Sequence, residues 1–249
     1  MDIFNNGAFK LAPMLVLAGA LMAYQPRQEM TPDSAQIEAV AMAASHNRDA
    51  NAELRLSAWA AQGLPVAERE LALLYRDRLR QRDRAMALFE KAARAGDGEA
   101  AFELGELYRK QVVGMAPRPA LAWPWYKRAA EKKHAKAALM LGLLAKNGEG
   151  VARDDIEAAK WLSVASELGE QHAMFLLYNA YKDGLGVPQD LAKARQLLEE
   201  SADRDYPPAL QELAMTVQSG DALTPKDEAR AGHLLKEANE HRHNNWNSF

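Results

Sequence analysis

The chain has 249 residues, of which 48% are hydrophobic and 26% are charged, as in ordinary folded globular proteins. Its formal net charge of −3 leaves no electrostatic footprint for nucleic acid, so no nucleic-acid partner is expected. Cysteine is absent, which excludes disulfides, thiolate nucleophiles and cysteine-ligated zinc. Strong helix formers dominate and no segment alternates as a strand does, which indicates an all-α fold.

The N-terminal segment is predicted to be separate from the folded domain. Residues 11–24 form an apolar run (LAPMLVLAGALMAY) that is short for a membrane span but typical of a signal-peptide core. Residues 17–20 (LAGA) resemble a bacterial lipobox, with Ala20 in the place of the lipidated cysteine, so no lipid can be attached there. We therefore expect residues 1–24 to be a cleaved signal peptide or a retained membrane anchor, followed by a linker over residues 25–33.

A repeat of about 36 residues runs through the rest of the chain. The segment KNGEGVARDD (146–155) recurs 36 residues later as KDGLGVPQD (182–190). An Ala-x-x-x-Leu pair marks the first half of five units: Ala67/Leu71, Ala100/Leu104, Ala137/Leu141, Ala173/Leu177 and Ala209/Leu213. A second apolar stripe follows in each unit at helical spacing. Each unit is therefore predicted to be a helix pair that buries its apolar faces only by stacking on its neighbours.

The repeat predicts a right-handed α-solenoid of about five to six antiparallel helix pairs over residues 34–243, with a short tail over residues 244–249. The predicted units lie near residues 34–66, 67–99, 100–136, 137–172, 173–208 and 209–243. Three of them depart from the pattern. The unit from residue 67 lacks the glycine loop, and the loops at 113–119 and 220–225 have other sequences, so we expect these connections to differ in shape.

The repeat resembles that of a known family. The stretch AAFELGELY (100–108) and the fuller copy formed by Leu141, Gly142, the loop at 148–154 and Trp161 are similar to the Sel-one-like repeat (SLR), a relative of the tetratricopeptide repeat. The resemblance implies a scaffold or adaptor that binds protein partners through the concave face of the solenoid. Bacterial SLR proteins often serve secretion, polysaccharide-export or signalling complexes.

Together with the predicted export, the resemblance leads us to expect a scaffold of the bacterial cell envelope, periplasmic or anchored in the inner membrane and facing the periplasm. Only the N-terminal segment would then contact the membrane. Two alternatives stay open. One is a peptidoglycan- or glycan-binding module, which needs an exposed aromatic platform such as Trp123. The other is a hydrolase of the β-lactamase-like SLR group, against which the absence of cysteine counts.

The G-x-G loop does not have the features of a phosphate cradle. A Walker loop ends in Gly-Lys-Ser/Thr, whereas residues 151–155 read VARDD, and a helical pattern rather than a strand precedes the loop. Gly148 and Gly150 suit positive φ values after a helix end, and Asp154 and Asp190 suit the start of the next helix. The loop is therefore predicted to be the turn between two helices.

The sequence offers no arrangement typical of catalysis. No Ser-His-Asp triad or carboxylate pair stands out, and His241 and His243 are two residues apart, so they do not share a helix face. We therefore expect a protein that is not an enzyme, with no catalytic residue, cofactor or metal.

Candidate partner-binding residues are those that depart from the repeat. The residue before the repeat leucine is glutamate in three units, but Met140 and Leu176 take its place in the two central units. They predict an apolar stripe for a partner, with local variation of the core as the alternative. Trp123 replaces a small or polar residue, and Pro124 behind it should kink or delay the helix. Trp123 is thus either an exposed contact anchor or tucked into the core.

Overall fold

The computed structural model describes residues 31–110, 116–221 and 224–246, with side chains as far as residue 242. The chain divides into two compact units, Met1–Asp33 and Ser34–Phe249, and the helices below belong to the second. The predicted signal or anchor segment, and all but the last three residues of the predicted linker, lie outside the described residues.

Helices occupy most of the described part of the chain. Their bounds are α1 Ser34–His46, α2 Ala50–Ala61, α3 Pro65–Arg76, α4 Arg82–Arg94, α5 Gly98–Arg109, α6 Pro119–Glu131, α7 Ala135–Asn147, α8 Asp155–Glu167, α9 Gln171–Asp183, α10 Leu191–Ala202, α11 Pro207–Ser219 and α12 Glu228–Trp246. In the same residues β-structure is limited to one isolated bridge between Asp221 and Thr224.

Each odd-numbered helix packs against the even-numbered helix that follows it, and each pair packs against the next pair. The predicted all-α solenoid of stacked helix pairs is confirmed. Because contacts join neighbouring helices rather than distant ones, each unit depends on its neighbours to bury its apolar faces. Helix α12 continues to Trp246, into the predicted tail.

Small residues allow the paired helices to approach closely. The repeat alanines Ala67, Ala100, Ala137, Ala173 and Ala209 are fully buried. Two glycines on the first helices make still closer contacts: a Cβ at Gly105 would lie 2.7 Å from the ring of Tyr126, and one at Gly142 would lie 2.7 Å from Leu162 Cγ. At these seams a larger residue would force the helices apart, since the interior is close-packed.

The first glycine of each G-x-G loop ends a helix. Gly148 has φ +69° and Gly184 has φ +68°, both in the left-handed region, and each amide donates back to the carbonyl of Leu144 or Ala180. This left-handed C-terminal residue is where helices most often use glycine, because it has no Cβ. The predicted turn is confirmed.

The second glycine has another role, which the sequence alone did not indicate. A Cβ at Gly186 would lie 1.9 Å from the carbonyl oxygen of Asp155, and one at Gly150 would lie 2.4 Å from the backbone nitrogen of Ala120. The loop of one unit therefore rests directly on the first turn of the second helix in the preceding unit. The loops hold neighbouring units together.

Aspartate caps begin the second helices of the two regular units, as predicted. Asp154 Oδ1 accepts from the amides of Ile156 and Glu157, both at 2.9 Å. Asp190 Oδ1 accepts from the amide of Lys193 at 2.9 Å. Each cap satisfies backbone donors that have no partner inside the helix.

One of the three irregular connections is fully described, and it differs from the glycine loops. A turn of 3-10 helix, Leu79–Gln81, joins α3 to α4 in place of a G-x-G loop. The connections before α6 and α12 include residues 111–115 and 222–223, which lie outside the described residues. Of the two effects predicted for Pro124, a kink or a delayed start of the helix, the delayed start is wrong, since α6 begins at Pro119. Proline suits the first helical position, and Pro124 removes only the single backbone bond to the carbonyl of Ala120.

None of the helices within the described ranges is both long enough and apolar enough to span a bilayer.

Candidate interaction surface

The predicted partner-binding residues lie on three helices. Met140 on α7 and Trp123 on α6 are partly buried and pack against the core. Leu176 on α9 is also partly buried, and it lines a cleft between the α7–α8 pair and α9. The structure does not bring the three residues into one site, because only Leu176 lines this cleft.

We name this first crevice the apolar cleft. Its wall is formed by three leucines and three alanines: Leu162, Leu176, Leu185, Ala158, Ala159 and Ala180. Its volume is about 60 Å³, and Leu185 is 48% exposed at its mouth. Lys146 and the ion pair between Arg153 Nη2 and Asp155 Oδ2, at 3.1 Å, form a charged rim. Such a crevice can take a small apolar side chain and discriminate by the charges at its edge.

A second crevice, the arginine cleft, lies between the α9–α10 pair and α11. It is larger, at about 180 Å³, and is lined by Tyr178, Lys182, Leu191, Ala194, Arg195, Thr216 and Asp221. The leucine is 56% exposed, whereas the arginine side chain is only 12% exposed. This cleft therefore combines an apolar edge with a buried cation.

The two clefts occupy equivalent positions in consecutive repeats. Each is lined by a lysine near the end of the first helix of one unit and by the first turns of the second helix of that unit. The first helix of the next unit and a residue of the loop that follows it complete the lining. The matched pairs are Lys146 and Lys182, Asp155 and Leu191, Ala158 and Ala194, Ala159 and Arg195, Ala180 and Thr216, and Leu185 and Asp221. In the preceding unit Trp123 holds the place of Ala159, and its indole packs against the core. One position thus carries tryptophan, alanine and arginine in successive units.

The guanidinium of Arg195 is held among acidic groups without being saturated by them. Its Nε lies 3.4 Å from Glu199 Oε1, and its Nη2 lies 4.0 Å from Asp221 Oδ1. Both nitrogens are inaccessible to solvent, and among the described residues neither finds an acceptor in hydrogen-bonding geometry. A buried donor in this state is costly unless a further acceptor reaches it.

A hydrogen-bonded group fixes the floor of the arginine cleft. Tyr178 Oη donates to Glu212 Oε1 at 2.7 Å and accepts from Lys182 Nζ at 3.2 Å. Burial, together with the hydrogen bond to Glu212, raises the pKa of Tyr178 above its ordinary value, so its hydroxyl stays protonated. The group is polar but internally satisfied, and it holds α9 and α11 at a fixed separation.

A third and more polar crevice, of about 430 Å³, lies where the first helices α3, α5 and α7 meet. Its charges are already matched within the chain: Arg76 Nη1 donates to Glu103 Oε2 at 2.7 Å, and Lys110 Nζ lies 2.7 Å from Glu106 Oε2. Burial opposes ionisation of Glu106, but hydrogen bonds from its cationic neighbours and from Tyr126 hold its pKa below the usual value. This crevice offers less to a ligand than the two repeat clefts.

The histidines come together with carboxylates at one place that the sequence did not reveal. Oxygen atoms of Asp205 and Glu237 and a ring nitrogen of His241 all lie within 4.8 Å of one another. Asp205 stands in the turn before α11 and is exposed, and the two others are partly buried on α12. His243 lies beyond the residues whose side chains are described.

Arg195 was missed as a candidate because a single arginine in a repeat of charged helices is ordinary. The available signal was the alignment of Trp123, Ala159 and Arg195, which shows one position changing chemistry from unit to unit. That signal indicated a variable position but not that it lines a cleft, because the opposing helix comes from the next unit.

The sequence matches the model of a known repeat family. The pattern of the Sel1 repeat matches five consecutive segments: residues 65–97, 98–134, 135–170, 171–206 and 207–243. These segments begin two residues before the predicted units, because the helices begin before the alanines that mark the repeat.

Two solved structures share the fold over most of the chain. A Sel1 repeat protein from Oxalobacter formigenes is 28% identical and aligns with a TM-score of 0.74 over 82% of this chain and 85% of its own. A protective antigen of uropathogenic Escherichia coli with an SLR fold is 23% identical and aligns with a TM-score of 0.72, over 83% of this chain and 46% of its own. At that identity the second likeness concerns the fold alone.

Two curated relatives are fungal regulators. Chitin synthase regulatory factor 3 of Schizosaccharomyces pombe is 29% identical over 156 residues, which is 58% of this chain and 16% of that protein. The chitin synthase regulator SKT5 of Malassezia restricta is 35% identical over 116 residues, which is 44% of this chain and 8% of that protein. The chain therefore spans less than a fifth of the length of either relative.

These relatives contradict the predicted localisation. The prediction of a periplasmic protein, or of one anchored in the inner membrane, is wrong on this comparison, since the curated relatives are fungal regulators and not periplasmic proteins. That prediction depended on the apolar run at residues 11–24, a pattern of composition that segments of other kinds share.

Five matched repeats, the stacked helix pairs and the solved structures lead to one assignment. The chain belongs to the Sel1 repeat family, whose tetratricopeptide-like helical scaffold is suited to protein interaction.

Proposed function

We propose that this protein is a non-catalytic scaffold that binds a protein partner along the edge formed by the apolar cleft and the arginine cleft. One observation carries the proposal: the same crevice recurs in consecutive units with different linings, apolar in one and cationic in the next. Recurrence at the repeat period gives a partner two adjacent points of attachment. The difference between the linings gives those points selectivity, because each accepts another kind of side chain.

The exposed apolar groups at this edge support binding rather than mere packing. Leu185 and Leu191 stand at the mouths of the two clefts and are each about half exposed. Apolar side chains that line a crevice and remain accessible are the usual anchors for a partner. The two curated relatives are named as regulators of an enzyme, and we propose a similar regulatory role here, exerted by binding. The envelope setting predicted from the N-terminal segment is not part of this proposal.

Leu176 belongs to the proposed binding edge because it lines the apolar cleft. We propose Met140 and Trp123 as secondary contacts only, since both are partly buried against the core. Trp123 is not exposed enough for a glycan platform, so the proposal does not extend to sugars.

The test compares two exposed leucines. Leu185→Glu places a charge at the mouth of the apolar cleft, while Leu54→Glu makes the same change on α2, where the leucine is 68% exposed and lines neither cleft. Partners captured by the full chain from its source cells would be quantified for the wild type and both variants.

We expect Leu185→Glu to lose a defined set of partners by at least tenfold and Leu54→Glu to retain them, with thermal melting unchanged in both. Equal capture by all three chains would contradict the proposed site. Equal loss in both variants would place binding elsewhere on the scaffold.

A further inference from the structure

We propose that the arginine cleft binds the carboxylate of an aspartate or glutamate on an extended segment of the partner, and that an apolar side chain about four residues away fills the apolar cleft. This inference rests on the proposed function and adds the chemistry of the partner. It requires that the two clefts be occupied together and that the Arg195 guanidinium turn toward the mouth of its cleft to meet the carboxylate, because its Nε and Nη2 are shielded from solvent in the free chain.

The state of Arg195 points to an anionic ligand. Its Nε and Nη2 are buried, and among the described residues no acceptor reaches either in hydrogen-bonding geometry. The guanidinium is a planar fork of donors that matches the two oxygens of a carboxylate. A neutral amide offers only one acceptor oxygen and no charge, and therefore satisfies this fork less well.

The acidic groups around Arg195 stabilise its charge without occupying its hydrogen-bond donors. Asp221 and Glu199 lie at 4.0 Å and 3.4 Å, close enough to stabilise the guanidinium but outside hydrogen-bonding geometry. Lys182 adds a second cation on the same α9–α10 side of the cleft, where its Nζ lies 3.6 Å from Glu212 Oε1 on α11. Of these acids, Asp221 lines the cleft itself, so it competes with an incoming carboxylate for Arg195.

The spacing of the clefts fixes the spacing in the ligand. The clefts lie one repeat apart, which is a step of two helices, and directly packed helices are separated by about 8–10 Å, so the clefts are at least one such spacing apart. An extended chain advances about 3.3 Å per residue and its side chains alternate between two faces, so residues four apart lie on the same face and span about 13 Å. A segment with an apolar and an acidic residue at this separation would meet the exposed edges of Leu185 and Leu191 as well.

The chemistry also disfavours a nucleic acid at this edge. Arg195 stands beside Asp221 and Glu199 rather than in a basic stripe, and the whole chain carries a net charge of −3. A single carboxylate can be accepted by one buried arginine, whereas a phosphate backbone requires a row of cations.

The test uses labelled ten-residue peptides in a Gly-Ser background and fluorescence anisotropy with the full chain. The first peptide carries leucine and glutamate four residues apart. A second replaces the glutamate by glutamine, a third replaces the leucine by serine, and a fourth separates the two residues by eight positions. The proteins are the wild type, Arg195→Gln, Asp221→Asn and the control Arg94→Gln, which removes an exposed arginine of α4 that is paired with Glu90.

We expect the wild type to bind the glutamate peptide about tenfold more tightly than the glutamine peptide, because a charge-assisted pair is lost. Arg195→Gln should reduce this ratio to about one, while Arg94→Gln leaves it unchanged. Asp221→Asn should tighten binding of the glutamate peptide several-fold, because the competing carboxylate is removed. The serine peptide and the widely spaced peptide should both bind more weakly.

Two outcomes would overturn the inference. One is a glutamate-to-glutamine ratio near one in the wild type, and the other is a ratio that Arg195→Gln leaves intact. Asp221→Asn keeps the test informative if Arg195→Gln fails to fold, since it removes no buried group, and unchanged binding in that variant also contradicts the inference. If Leu185→Glu still abolishes partner capture while the peptides show no preference for glutamate, the proposed function stands and only the acidic recognition fails.

Discussion

The loop contact at Gly186 gives the most direct test of how the units are joined. A Cβ added there would lie 1.9 Å from the carbonyl oxygen of Asp155 and 2.4 Å from its carbonyl carbon, far inside ordinary contact. Gly184, two residues earlier, has nearly the same φ, but a Cβ there would meet nothing closer than 3.5 Å. Gly184→Ala is therefore a matched control for Gly186→Ala.

The expected magnitudes follow from two separate costs. A left-handed backbone costs an L-residue about 1–2 kcal/mol, and both variants carry this cost. Gly186→Ala also overpacks a backbone contact, which typically costs about 1–3 kcal/mol more. We expect the free energy of unfolding, measured by urea denaturation of the full chain with circular dichroism, to fall by about 1–2 kcal/mol for Gly184→Ala and by about 2–5 kcal/mol for Gly186→Ala.

Hydrogen exchange adds a local readout for the same pair. Gly186→Ala should speed exchange of the amides in the first turn of α8, because the loop no longer rests on that turn. Equal destabilisation by the two substitutions, with unchanged exchange in α8, would refute the conclusion that the second glycine of the loop joins neighbouring units.

Three further predictions concern stability. Lys91→Ala should destabilise the fold by about 1–3 kcal/mol, because it strands the buried carboxylate of Glu68, and adding Glu68→Met should restore most of the loss in denaturation experiments. His172, stacked on Tyr206, has a pKa lowered by burial; its contribution is therefore present above pH 6.5 and is lost as the pH falls below that value. His172→Phe should flatten the fall in melting temperature between pH 7 and pH 5, and an unchanged slope would contradict the linkage. Asp154→Ala should cost about 1 kcal/mol by removing a helix cap, and Asp154→Asn should retain most of the stability.

The fold was predictable because its signals repeat. The alanines at the helix seams, the left-handed glycine Gly148 and the cap at Asp154 each have a local physical reason, and recurrence after 36 residues separates them from chance. Local signals do not report what another unit contributes, which is why the second role of Gly186 was not predicted: its constraint comes from Asp155, about thirty residues away.

The proposed binding edge was predictable only in part for the same reason. Leu176 was identified from its departure from the repeat, and it lines the apolar cleft. Met140 departs in the same way, but it packs on the core. The two positions could not be distinguished beforehand, because the sequence does not show which face of α7 meets its neighbour. In the sequence Arg195 looks like an ordinary surface charge, but in the fold its side chain is largely buried in the arginine cleft. That cleft is formed by α9, α10 and α11 together, so no single unit reveals it.

Site-specific photo-cross-linking tests the central claim most directly. A photoreactive amino acid would be placed singly at Leu185 in the apolar cleft, at Leu191 in the arginine cleft and at Met42, a more exposed residue of α1 far along the chain. We predict that positions 185 and 191 yield cross-links to the same partner protein and that position 42 yields none. Cross-links that arise from position 42 alone, or different partners at 185 and 191, would contradict a single protein partner bound across the two clefts.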